Sequence, residues 1–317
     1  MLALYQDRCL MSPSIDDLSC SACRSANKAF VGAKSGYQLF QCLGCGTITT
    51  SRAAGDNDRR DLFEHYYDRA SFDIPAATAE SLTRLVSSFE PFRKTGRLID
   101  VGYGEGGLLE AAERTGWDCY GTELDLRALE YGARRGWTVA RDGDLDDQFP
   151  EQAFDVVTMI EFLEHVSEPM HFLQAALRWL RPGGVLYLTT PNAQSLNRRL
   201  LGLGWSIFAP PDHLTIWTAR GLRAALAASG FRCRRVRTEG LNPSEIIARF
   251  PRPNKTAVNP VNRQQAALDL NRAFSRSPVR RTAKRAINLL LSSVALGDGI
   301  KIWATPATHA GPSAVPE

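Results

Sequence analysis

Residues 97–125 constrain the fold more than any other part of this 317-residue chain. They read as a short apolar strand, a glycine turn, a helix and a second strand. The turn contains Gly102, Gly104, Gly106 and Gly107. Glycines let the backbone turn tightly and approach a ligand, and the first amides of the following helix favour an anionic or polar group. The pattern predicts a parallel α/β sheet with a small-molecule site at this turn.

A carboxylate after the second strand indicates the kind of ligand. The spacing from Gly102 to Glu123 suits a carboxylate that accepts hydrogen bonds from ribose hydroxyls, so a nucleoside is the predicted ligand. Gly102, Gly104 and Gly107 also satisfy the glycine pattern of NAD-binding sheets. The turn alone therefore leaves an NAD-dependent oxidoreductase as an alternative.

Further apolar runs predict the remaining strands. They lie at residues 138–140, 154–161, 185–191, 231–239 and 299–304. The run at 154–161 is almost continuously apolar, which is typical of a strand buried on both faces of a parallel sheet. Residues 181–184 are predicted to form a turn, and the last strand is predicted to return antiparallel to its neighbour. An acidic turn at 142–145 is suited to reading an adenine amino group.

Five motifs in order resemble the class I S-adenosylmethionine-dependent methyltransferases, over roughly residues 61–240. They are DVGYGEGG, Glu123 after the second strand, RDGDL, FDVVTMIEFLEHV and LRPGGVLYLTTPN. The resemblance implies a three-layer Rossmann-like sheet and an enzyme that uses S-adenosylmethionine. It implies that the cofactor is bound by Asp100, Gly102, Gly104, Gly106, Glu123, Asp144, Leu145, Glu161 and Tyr67. One departure is Tyr103, which is large where the family usually has a small residue.

Four cysteines ahead of this region have the spacing of a zinc ribbon. They form two Cys-x-x-Cys pairs, Cys20 with Cys23 and Cys42 with Cys45, around a segment at 30–40 with the composition of a small hairpin. Four thiolates fill a tetrahedral site and leave no position for a substrate, so we expect structural zinc rather than a catalytic metal.

The segment after the fifth strand supplies candidate catalytic residues. An apolar, proline-bounded loop at 204–211 leads to Asp212 and His213. We predict His213 as a general base, because an imidazole titrates near neutral pH, with Asp212 orienting it. The alternative is that His213 bonds the backbone of its own loop. His165, beside Glu161 and Glu164, is a second catalytic candidate with a structural role as its alternative.

The ribbon and the segment DHLTIWT together are similar to methyltransferases of antibiotic-sugar and polysaccharide pathways. This similarity implies a small-molecule acceptor, a sugar or sugar nucleotide, methylated on oxygen or carbon. O-methylation of a phenol- or quinone-type metabolite and a non-catalytic, cofactor-binding adaptor are the alternatives. The oligomeric state is left open.

Segment boundaries and charge complete the sequence predictions. We predict a zinc ribbon at 16–50, a linker with N-terminal helices at 51–90, a core at 91–240 and 299–306, a helical basic insertion at 241–298, and a disordered tail at 307–317. The net charge is only +4, but six basic residues fall between 272 and 285 without an acid. They predict a solvated helix face or contact of residues 272–296 with an anionic membrane. No nucleic acid partner is expected, since aromatic interleaving is lacking, and the absence of a secretory signal pattern favours the cytoplasm.

Overall fold

The computed structural model describes residues 19–51, 72–141, 145, 148–243, 245–246 and 278–307, without the side chains of 278–281 and 283–285. Several predicted features lie outside the described residues. They include Tyr67, Asp144, residues 52–71 of the linker and helices predicted at 51–90, the basic side chains between 272 and 285 that carry the charge prediction, and the tail beyond 307.

Three short antiparallel strands form the N-terminal ribbon. They are β1 (Lys28–Lys34), β2 (Tyr37–Cys42) and β3 (Ile48–Thr50). The β1–β2 hairpin pairs Phe30 with Phe40, and their rings are 5.7 Å apart in an edge-on arrangement. Aromatic pairs across neighbouring strands stabilise hairpins, so local composition accounts for this element.

The main sheet has seven strands. They are β4 (Arg97–Val101), β5 (Asp118–Glu123), β6 (Thr138–Arg141), β7 (Phe154–Ile160), β8 (Leu180–Pro191), β10 (Phe231–Glu239) and β11 (Gly299–Pro306). Their order is β10-β11-β8-β7-β4-β5-β6, with β4 to β8 mutually parallel and β11 antiparallel to both of its neighbours. The predicted Rossmann-like sheet with an antiparallel last strand is confirmed.

Helices cover both faces of this sheet. They are α1 (Ala76–Ser87), α2 (Gly107–Arg114), α3 (Leu126–Arg135), α4 (Pro169–Trp179), α5 (Leu196–Leu201), α6 (Ala219–Ala228) and α7 (Pro278–Ser293). Successive residues of a strand point to opposite faces, and accordingly Leu98 and Val156 belong to one buried cluster while Ile99 and Val157 belong to another. Two apolar layers with a sheet between them make the predicted three-layer arrangement. No helix among the described residues is long and apolar enough to cross a membrane.

The predicted turn at 181–184 is instead part of strand β8. Leu180 already pairs with Phe154, and the register then shifts before Val185 pairs with Val156. The buried carboxylate of Asp155 explains why the chain stays against the sheet here. It accepts hydrogen bonds from Arg181 Nε and from the backbone amides of residues 94–96, so it ties β8 to the entry of β4.

A short strand joins the ribbon to the main unit. Strand β9 (Thr215–Ile216) pairs antiparallel with β3, which gives a second sheet of order β1-β2-β3-β9. Thr218 strengthens the junction, because its hydroxyl donates to Cys45 O at 2.7 Å and also caps helix α6 by accepting from the amide of Gly221. The ribbon therefore shares backbone hydrogen bonds with the segment that follows His213.

Candidate active site

The glycine turn lies at the carboxyl edge of the main sheet, directly after β4. Gly102 has φ +67° and Gly106 has φ +78°, both in the left-handed region that favours glycine. A Cβ at Gly102 would lie 2.3 Å from Phe162, and one at Gly106 would lie 2.8 Å from Trp137. Glycine is thus required at both positions, because the rings of Phe162 and Trp137 occupy the space that a side chain would need.

Asp100 lies in β4, just before the turn, and is only 4% exposed. Its carboxylate accepts a hydrogen bond of 2.6 Å from the Thr158 hydroxyl on β7. Burial raises the pKa of Asp100 to about 7, and the nearby charge of Glu123 adds to the shift. Asp100 therefore exchanges a proton near neutral pH in the ligand-free protein.

Glu123 ends β5 and reaches the same turn. Its Oε2 accepts from the Gly104 amide at 2.9 Å and its Oε1 from the Leu124 amide at 2.7 Å. Burial raises its pKa, although these amides oppose the shift. The hydrogen bonds fix the carboxylate beside the turn, which is the position from which it could hold ribose hydroxyls.

The Tyr103 side chain does not enter the cleft. Its hydroxyl donates to Ala128 O at 2.7 Å, and its ring lies under the turn, against β5 and α3. Space for the ring comes from two glycines: a Cβ at Gly121 would be 2.5 Å from the ring, and one at Gly132 would be 2.8 Å from the hydroxyl. Sequence reasoning missed this arrangement, whose only signal was the presence of glycines in β5 and α3.

Two further predicted cofactor residues, Leu145 and Glu161, differ in their exposure to solvent. Leu145 is 1% exposed and packs in the core that includes Phe149. Glu161 follows β7 and is exposed, with a φ of +49° that is unusual for a residue other than glycine. The Thr189 hydroxyl on β8 donates to its Oε1 at 2.7 Å, so the strained residue is held in one orientation.

The two candidate catalytic histidines meet next to this edge. The rings of His165 and His213 are 4.7 Å apart. Asp212 lies between them, with Oδ1 3.0 Å from His165 Nδ1 and Oδ2 3.7 Å from His213 Nε2. The predicted orientation of His213 by the Asp212 carboxylate stays a prediction. The hydrogen bond that the structure shows joins His165 Nδ1 to the backbone oxygen of Asp212, also at 3.0 Å. The reason is that the amides of Leu214 and Thr215 donate to Glu164 O, which lays Asp212 alongside His165.

His213 is oriented by a backbone carbonyl that the sequence did not reveal. Its Nδ1 lies 2.7 Å from Ile207 O, so Nδ1 carries the proton and Nε2 carries the lone pair. Burial and the neighbouring His165 lower the pKa of His213. Its imidazole is therefore neutral at physiological pH and able to accept a proton at Nε2. The loop-backbone bond given as the alternative to catalysis is present, and it is compatible with a base.

The buried side chain of Glu164 lies next to the two histidines. Its side chain is 1% exposed, accepts from the Thr190 hydroxyl at 2.9 Å, and lies 4.0 Å from His165 Nε2. Burial and the charge of Glu161 raise the pKa of Glu164 well above the usual value. Ligand atoms of Glu164, His165 and His213 lie within 4.8 Å of one another, so this donor set could also hold a divalent cation.

The four ribbon cysteines converge at the other end of β9. Cys20 Sγ lies 3.7 Å from Cys45 Sγ, Cys23 Sγ lies 3.5 Å from Cys42 Sγ, and all four sulfurs lie within 4.8 Å of one another. A tetrahedral zinc ion with Zn–S bonds of about 2.3 Å places its sulfurs about 3.8 Å apart. The sulfur positions therefore fit one zinc ion.

Comparison with known proteins identifies the family. A methyltransferase-domain family matches residues 70–236, which is more than half of the chain, and the chain belongs to this family. Two similar proteins are ubiquinone biosynthesis O-methyltransferases. The one from Idiomarina loihiensis is 33% identical over 133 residues, covering 39% of this chain and 52% of that protein. The one from Methylococcus capsulatus is 39% identical over 186 residues, covering 51% of this chain and 73% of that protein.

The fold has a counterpart among solved structures. The geranyl diphosphate C-methyltransferase from Streptomyces coelicolor A3(2), solved with Mg2+, geranyl diphosphate and S-adenosyl-L-homocysteine, superposes with a TM-score of 0.51. It is 16% identical, and the match covers 79% of this chain and 99% of that chain. At this identity the match establishes the methyltransferase fold. The present chain spans about half the length of the first curated relative it matches.

Substitution of Asp100 tests the charge state of the turn. The folded pKa of Asp100, about 7, exceeds its ordinary value. The contribution of its protonated carboxyl to the free energy of unfolding is therefore complete at low pH and is lost as the pH rises toward 7. In thermal unfolding of ligand-free protein, we expect Asp100→Asn to gain stability relative to wild type between about pH 4 and about pH 7. A stability difference that does not change with pH would contradict the assignment.

Proposed function

We propose that this protein transfers the methyl group of S-adenosylmethionine to a hydroxyl oxygen of a small-molecule acceptor. The observation that carries the proposal is the neutral His213, oriented by Ile207 O, near the same sheet edge as the glycine turn and its two carboxylates. The bound sulfonium supplies an electrophilic methyl group. The protein's part is to align the acceptor and to remove one proton.

The cofactor is proposed to lie over the glycine turn. Gly102, Gly104 and Gly106 provide a backbone surface without side chains, and Asp100 faces the methionine end. Glu123, held by three backbone amides, accepts from the ribose hydroxyls. Tyr67, Asp144, Leu145 and Glu161 remain predicted contacts.

His213 is proposed to act as the general base. Its Nδ1 proton is committed to a carbonyl, so an acceptor hydroxyl can donate only to Nε2. The imidazolium formed would lie 3.7 Å from an Asp212 oxygen, which stabilises the new charge. His165, whose Nδ1 hydrogen-bonds the backbone oxygen of Asp212, is then a positioning residue for the Asp212–His213 segment.

Oxygen is the preferred acceptor atom because the curated relatives are named O-methyltransferases. The sugar or sugar-nucleotide acceptor rests on the similarity of the ribbon and of Asp212 with His213 to sugar-pathway enzymes. The relatives' names support the alternative, a phenol- or quinone-type metabolite. Cytoplasmic location and contact of residues 272–296 with an anionic membrane stay predictions.

We also propose that the four ribbon cysteines hold one structural zinc ion. Metal analysis of purified protein is expected to find about one zinc per chain, because the sulfurs already have tetrahedral spacing. Cys45→Ser should lose the metal, whereas Cys233→Ser, at a thiol on β10 outside the cluster, should retain it. Metal-free wild-type protein with unchanged folding would contradict the proposal.

His213→Gln tests the base, with His171→Gln on helix α4 as the matched control. We expect the first variant to bind S-adenosylhomocysteine normally and to lose about 100-fold or more in turnover, while the second stays near wild type. The readout is transfer of a labelled methyl group to sugar nucleotides and phenols, located by carbon NMR.

The pH dependence of wild-type turnover tests the same base. Because the pKa of His213 is lowered, the fall of turnover at acid pH should have its midpoint below about pH 6.5.

Two results would overturn this assignment. Normal turnover of His213→Gln would remove His213 from proton transfer. Turnover that requires an added divalent cation would assign Glu164, His165 and His213 to metal binding instead.

A further inference from the structure

A cavity of about 200 Å³ lies between the ribbon and the segment that follows β8. It is lined by Val31, Arg198, Arg199, Gly202, Leu203 and Phe208. The apolar walls come from both units: a Cβ at Gly32 of β1 would lie 2.5 Å from Leu203. Among the described residues, no carboxylate lines the cavity.

Arg198 gives this cavity an unusual charge environment. Its side chain is partly buried, and no hydrogen bond or ion pair connects its guanidinium to any residue that the structure describes. Burial and the adjacent Arg199 lower the pKa of Arg198. Removing a guanidinium from water without a partner costs free energy, and a second cation beside it adds to the cost. An anion in the cavity would offset both effects.

The cavity is close along the chain to the proposed base. Phe208, in its wall, follows Ile207, whose carbonyl orients His213. Arg198 and Arg199 lie on α5, which begins five residues after β8 ends at the carboxyl edge of the sheet. The opposite wall is fixed, since Lys34 of the ribbon donates to Trp205 O at 2.9 Å. An acceptor held here would therefore bind on the histidine side of the cleft.

We propose that Arg198 and Arg199 bind a phosphate or diphosphate group of the methyl acceptor. Guanidinium groups match the geometry of phosphate oxygens and bind them with charge-assisted hydrogen bonds. The cavity accommodates the anionic group, and the rest of the acceptor extends toward His213. The inference rests on the proposed methyl transfer and narrows its acceptor to a phosphorylated molecule, such as a sugar nucleotide, rather than an uncharged phenol.

Binding of inorganic pyrophosphate tests the subsite independently of turnover. Calorimetry at constant ionic strength should detect binding to wild type, also with S-adenosylhomocysteine present. Arg198→Gln should weaken the affinity about ten-fold or more, because a charged hydrogen bond is lost, and Arg198→Lys should restore part of it. Arg220→Gln, at an exposed arginine of helix α6, makes the same change in net charge and should have no effect.

Further measurements distinguish failure of the phosphate subsite from failure of the proposed methyl transfer. Arg199→Gln serves as a second variant if thermal unfolding shows that Arg198→Gln does not fold. Equal weakening by Arg198→Gln and Arg220→Gln, or no pyrophosphate binding by wild type, would overturn the subsite. Methyl transfer to a phosphate-free acceptor that pyrophosphate does not inhibit would also overturn it, while leaving the methyltransferase function intact. Pyrophosphate binding without methyl transfer to any acceptor would contradict the proposed function alone.

A comparison of acceptors identifies the source of the phosphate. A soluble nucleotide sugar that competes with pyrophosphate would confirm a small-molecule acceptor. Competition only by a diphosphate lipid in detergent would keep the subsite and assign it to a lipid-linked acceptor.

Discussion

The backbone carbonyl of Glu164 is the contact on which the arrangement of the site depends. It accepts hydrogen bonds from the amides of Leu214 and Thr215, at 2.8 and 3.2 Å, immediately after Asp212 and the proposed base His213. Thr215 then pairs with Thr49 of the ribbon. The loop that contains Asp212 and His213, here called the histidine loop, is therefore held on one side by the segment after β7 and on the other by β3. Neither the main sheet nor the ribbon alone would fix it.

This arrangement gives the ribbon a role beyond packing. A unit of three short strands cannot bury enough apolar surface to be stable alone, so the proposed zinc ion would supply part of its stability. Its cysteine end also packs in the main core with Trp217 and Leu222. Its other end forms a wall of the cavity that contains Arg198. The proposed metal binding at the ribbon would thereby be coupled to the position of His213 and to the proposed phosphate subsite.

The sequence was sufficient for features that depend on neighbours along the chain. The glycine turn, the strands of the main sheet and the two Cys-x-x-Cys pairs are local patterns, and the structure contains each of them. What could not be predicted depends on contacts between distant segments. Asp212 pairs with His165 across 47 residues, β9 pairs with the ribbon, and Tyr103 turns into the helix layer because Gly121 and Gly132 make room. No local pattern encodes such contacts.

The most direct test of this account is amide hydrogen exchange at Leu214 and Thr215, measured before and after zinc is removed from the ribbon. The account predicts that these two amides are protected in the zinc-loaded protein and exchange much faster after chelation. Amides of β4 should stay protected, and S-adenosylhomocysteine affinity should be unchanged, because β4 and the glycine turn that follows it belong to the main sheet and not to the ribbon sheet. Unchanged protection of Leu214 and Thr215 in zinc-free protein would contradict the claim that the metal-ordered ribbon holds the histidine loop.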